Sequence, residues 1–196
     1  MIRGTTTLNA GNNSKQYYAM RDIVNNNVEI HFTASLNPNT IGNLLNQYKH
    51  ELQDPSFKRQ NDFIKRLQRF LVNISTAKIQ TLEEKLVEGG FDENLEYALL
   101  TKEEFSKFLL EYKFSPSIQN INAIFLGKIF DQFNMFILPE IRKGTDHIVI
   151  NELINSTIIA PIESLILDND CDIDILTHHI RGMIFFLTGK CHIKWN

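Results

Sequence analysis

Five cations fall within twelve residues: Lys58, Arg59, Lys65, Arg66 and Arg69, opposed only by Asp62. At about 100° per residue, Lys58, Lys65 and Arg69 share one helix face, and Arg59 and Arg66 form an adjacent row. Such a stripe can neutralise phosphates, each contact adding about −0.9 to the salt slope of binding. These five are therefore candidates for contact with nucleic acid or with an acidic partner. The competing reading is the solvated face of an amphipathic helix.

A second group lies in the last 26 residues: Cys171, Asp172, His178-His179 and Cys191-His192. Zinc is held by ligand pairs two to five residues apart, which point at a common centre. Here the pairs are adjacent, so their side chains diverge, and no metal or other cofactor is expected. His179 falls on the side of Ile175, Leu176 and Met183, where a hydrogen-bonded core histidine is the ordinary explanation. Cys191 beside His192 has the composition of a thiolate–imidazole pair, but catalytic partners are usually joined by the fold rather than by adjacency. The carboxylates of Asp168, Asp170, Asp172 and Asp174 alternate as in a calcium loop. The glycine and the closing glutamate of such a loop are missing, and the simpler role is negative charge at a helix N-terminus. No G-x-x-x-x-G-K-S/T, G-x-G-x-x-G, H-E-x-x-H or G-x-S-x-G occurs. The expectation is a chain without catalysis of its own.

Apolar residues suggest association instead. From Ile118 to Ile137 they cover much more than one helix face, so that helix is either central in a bundle or shared with another subunit. Phe130, Phe133 and Phe136 are candidate interface residues on it. Val28, Ile30 and Phe32 alternate with polar neighbours and would share one face of a strand, a second candidate interface.

Two kinds of element must position these residues. Residues 1–38 are Asn-rich and lack a helical period, and read as a short β-appendage whose turns are Gly11-Asn12-Asn13-Ser14 and Asn25-Asn26-Asn27. Residues 39–196 read as a helical domain. Ile41, Leu44, Leu45, Tyr48 and Leu52 mark a first helix. Pro55 opens a second, whose stripe runs through Ile64, Leu67, Leu71 and Ile74 towards Leu82 and Leu86, closed by Gly89-Gly90. A third covers about Asp92 to Lys113, with a capping box at Thr101-x-x-Glu104 that would divide it. Ser115-Pro116 starts a fourth, with Pro139 near its end. A fifth covers Asn151 to Asp168, with Pro161 as a kink or restart. The last runs from about Asp172 to Leu187 with Gly189 as C-cap, before an alternating tail from Cys191 to Trp195. The fold class is mostly α, a bundle of about five to seven helices with an N-terminal β-appendage.

Composition sets the frame. The chain has 196 residues, 43% hydrophobic and 22% charged, with a formal net charge of −3. That length builds a core without staples, and the charge argues against a surface that binds nucleic acid all over. Two cysteines are too few for a disulfide framework. Neither a signal peptide nor an uninterrupted apolar span is seen. A cytoplasmic protein that does not associate with membranes is expected.

The stretch Ile180-Arg181-Gly182-Met183-Ile184-Phe185-Phe186-Leu187-Thr188-Gly189-Lys190-Cys191-His192-Ile193-Lys194-Trp195, with Ile159-Ala160-Pro161-Ile162 upstream, resembles the C-terminal helical domains of bacterial ABC-three-component conflict systems. The Asn-rich segment before it resembles one that precedes such domains, so the likeness covers residues 10–195. It implies no catalytic residues. It implies an interaction or assembly subunit in antiphage defence, self-associating or bridging an SMC-like ABC ATPase and a nuclease or other effector. The usual fused effector domain is missing from this sequence.

Overall fold

A computed structural model describes residues 38–53, 63–74, 80–167 and 177–196, all within one compact unit, His31–Asn196. Seven helices and no strand occur among the described residues: α1 (Pro38–Gln53), α2 (Lys65–Leu71), α3 (Leu82–Glu88), α4 (Leu95–Glu111), α5 (Pro116–Arg142), α6 (His147–Leu167) and α7 (Thr177–Gly189). The expected helical bundle is therefore present. The β-appendage, with Val28, Ile30 and Phe32, lies outside the described residues.

The helix starts follow local chemistry. Thr81 and Glu84 form the capping box of α3: the Thr81 hydroxyl accepts from the Glu84 N–H at 3.1 Å, and the Glu84 carboxylate accepts from the Thr81 N–H at 2.8 Å. Ser115 caps α5 by accepting from the Ile118 N–H at 3.3 Å, with Pro116 at the first helical position. The Glu51 carboxylate of α1 accepts from the Ser115 hydroxyl and the Ser117 N–H. It thereby brings negative charge to the α5 N-terminus.

Two helix boundaries differ from the sequence expectation. The stripe taken as one helix from Pro55 to Leu86 is broken, because Val72 turns extended (ψ 138°) and a separate α3 begins at Thr81. The box at Thr101 and Glu104 does not divide α4, for the Thr101 hydroxyl donates back to the Tyr97 carbonyl at 2.9 Å within one continuous helix. Pro139 lies near the end of α5, as expected, and Pro161 lies within a continuous α6. Each follows by two residues a widened π turn, Phe133–Ile137 or Asn155–Ile159. A proline cannot donate to the carbonyl four residues back and crowds it. That carbonyl belongs to Met135 or Thr157, inside the widened turn, so the helix continues past the ring.

The core joins all seven helices. Leu67, Phe105, Phe125, Phe133, Ile150 and Met183 are among its buried side chains. The α4–α7 pairing is the most extensive, and it is close because α7 places Gly182 where a Cβ would collide with the Thr101 carbonyl. By length and hydropathy α5 and α6 are each long enough to cross a membrane, yet 61% and 39% of their apolar windows lie inside the bundle. Trp195 anchors the C-terminal segment, its indole N–H donating to the Thr188 hydroxyl at 3.0 Å. Cys191, Ile193 and Trp195 are buried and Lys194 is exposed, in keeping with the alternation of the tail.

Candidate functional site

On the short α2, Leu67 and Phe70 are buried and hold Lys65, Arg66 and Arg69 outward. The Arg69 guanidinium lies 4.3 Å above the Phe70 ring, over Gly127 of α5, where a side chain would crowd it. The C-terminal segment adds Lys190 and His192 beside it. His192 Nε2 donates to the Val72 carbonyl at 3.2 Å and the ring packs edge-on to Phe70. Burial holds its pKa below the ordinary range; carbonyl hydrogen bonds from Val72 and Phe70 oppose this only in part, and the charges of Arg69 and Lys190 reinforce it. The positive charge of this face therefore comes from lysine and arginine. Lys58 and Arg59 lie outside the described residues.

Cys191 has a structural position. It takes a left-handed backbone (φ 62°), the N–H of Cys191 bonds the Thr188 carbonyl, and that of His192 bonds the Leu187 carbonyl. This is a Schellman end to α7 with a non-glycine residue in the strained place. Gly189, the C-cap the sequence suggests, is instead the last helical residue. The buried Lys85 ammonium donates to the Thr188 carbonyl at 2.5 Å and to Cys191 Sγ at 3.1 Å, which fixes the turn. His192 faces away towards Phe70, so the adjacent thiol and imidazole do not act as a pair.

His178 lies 3.7 Å from the Glu104 carboxylate, and His179 packs on Phe108. Among the described residues no group of three or more His, Cys, Asp or Glu could hold a metal ion. Phe133 is completely buried beside Trp195 in the core of its own chain, and Phe130 and Phe136 are half-buried. Of the three, Phe133 is thus not offered to a partner by this packing. α4 instead exposes Leu99, Leu100 and Leu110.

Sequence reading missed an open cleft of about 310 Å³ between the start of α4, the first half of α6, α7 and the tail. Asn94 and Tyr97 line it from one side and Asn151 and Ile154 from another. From α7 come Arg181, Ile184 and Phe185, with Trp195 closing one end. Each helix contributes residues three or four apart, which is what shared facing requires. Arg181 is a partly buried residue, and its guanidinium meets no hydrogen-bond acceptor or carboxylate among the described residues. The only sequence signal was a cation at the edge of an otherwise apolar helix.

Residues 81–195 match the family model described as C-terminal domain 9 of the ABC-three component systems. No curated protein and no solved structure matches the chain. The matched span contains α3 to α7, the tail and every residue that lines the cleft, whereas α1 and the basic α2 precede it.

Proposed function

This chain belongs to the family of C-terminal domain 9 of the ABC-three component systems, and on that premise we propose that it is their non-catalytic interaction module. It works in the cytoplasm, in bacterial antiphage defence, self-associating or bridging an SMC-like ABC ATPase and an effector such as a nuclease. The family match over residues 81–195 carries this reading. The exposed Leu99, Leu100 and Leu110 of α4 support it, as apolar side chains a partner could cover. Co-expression with the other components of the same system tests it, read by size-exclusion chromatography with light scattering. Co-elution at fixed stoichiometry is expected. A strict monomer that recovers neither component refutes it.

A second reading has one observation in its favour, the outward Lys65, Arg66 and Arg69 beside Lys190. It makes the chain an accessory that contacts nucleic acid. Retention of duplex DNA at about 50 mM salt, lost when the three α2 cations become Gln, would support it.

A further inference from the structure

We infer that the cleft around Arg181 receives the C-terminal residue of a partner polypeptide, an aromatic or large apolar side chain with its free α-carboxylate on the guanidinium. This rests on the assembly reading and names the chemistry of one contact within it.

Charge is the first ground. Arg181 is a partly buried residue whose guanidinium meets no acceptor among the described residues, so a carboxylate there would gain charge-assisted hydrogen bonds that compete with none of them. A carboxylate accepts its two parallel N–H groups, the geometry for which arginine is suited. A phosphate dianion fits less well, since no lysine and no second arginine lines the cleft among the described residues. Polarity is the second ground. Asn94 and Asn151 bring carboxamides to the same walls, groups able to pair with a backbone amide.

Size and surface decide the rest. Pockets for small ligands span about 300 to 1,000 Å³, so about 310 Å³ suits a single residue. The exposed Tyr97 offers most of the aromatic surface, with the almost fully buried Phe185 and Trp195 also in the lining, which favours an apolar or aromatic guest. An internal acidic residue would place its carboxylate and an apolar side chain on two residues. A terminal residue carries both, which satisfies all walls within the volume. The nine described residues that line it all fall within the family span.

Trp195 is the one tryptophan of the chain and lines the cleft, so its fluorescence reports occupancy directly. The full chain is titrated with N-acetyl-Gly-Ser-Gly-Phe as the free acid, with its C-terminal amide, and with N-acetyl-Gly-Asp-Phe-Gly amide. The free acid is expected to give a saturable change with Kd below about 1 mM, and both amides to bind at least about tenfold more weakly. Arg181→Gln removes the response and Arg181→Lys weakens it. Asn151→Asp, which adds a repelling carboxylate to another wall, weakens it as well and keeps the test open should Arg181→Gln melt early. Equal binding of either amide, an unchanged response in Arg181→Gln or Asn151→Asp, or no saturation by the free acid at about 10 mM overturns the inference. In the co-elution experiment, Arg181→Gln complexes that form like wild type overturn the cleft and leave the assembly reading standing. Failure of the wild-type chain to co-elute removes the assembly reading itself.

Discussion

His192 shows how much a single residue depends on its neighbours. Its ring is enclosed by Phe70 and Phe130, and its N–H is used by the Val72 carbonyl. Arg69 and Lys190 are the charged groups that act on it, and both disfavour a further positive charge. In the unfolded chain it protonates near the ordinary value of 6.5, and in the fold below that. The unfolded state thus binds more protons as the pH falls. The stability linked to His192 is complete above about pH 6.5 and is lost between there and the lower folded pKa. Melting temperature recorded from about pH 7.5 to about pH 5 should decline, and His192→Asn should flatten that part of the profile. An unchanged slope in the variant would show that other groups govern it. The sequence placed this histidine next to Cys191, and chemistry between them was the natural question. The Schellman turn at Cys191 answers it by sending thiol and imidazole to different partners.

At the scale of elements, glycine and proline carried information that their propensities alone misread. Gly182 lies mid-helix in α7, where Ala is intrinsically better by about 1 kcal/mol. Because its missing side chain leaves room for the Thr101 backbone, the contact decides. Gly182→Ala should destabilise by about 1–3 kcal/mol in urea unfolding, since a carbonyl in a packed helix cannot swing aside. A stabilised variant would mean that α4 and α7 can separate at little cost. Pro139 reads as lying near a helix end and Pro161 as a kink or restart, and a π turn ahead of each lets the helix run on past the ring. No pattern of apolar residues announces a π turn, so neither widened turn is legible in the sequence. The break between α2 and α3 was hidden for the converse reason: Ile64, Leu67, Leu71 and Ile74 keep a helical spacing straight through Val72, where the backbone extends.

For the whole molecule, the family span and the charged face are separate. Lys65, Arg66 and Arg69 precede residues 81–195. Replacing all three with Gln should therefore leave co-elution with the other components as in wild type, while any duplex DNA retention disappears. Loss of co-elution would place the partner contact on α2. Local rules reach a definite distance here. Apolar periodicity, Ser115-Pro116 and the composition by themselves determined that the described chain is a bundle of helices, and the C-terminal stretch pointed to its family. These are short-range signals, written in residues three or four apart. The cleft is different. It needs Asn94, Asn151, Arg181 and Trp195 from four separate segments, and that Arg181 meets no acceptor among the described residues is visible only once they are packed. Phe133 makes the same point, because an all-round apolar helix reads alike whether it faces its own core or another subunit. Tertiary packing alone decided which surfaces were used up inside the chain and which were left for a partner.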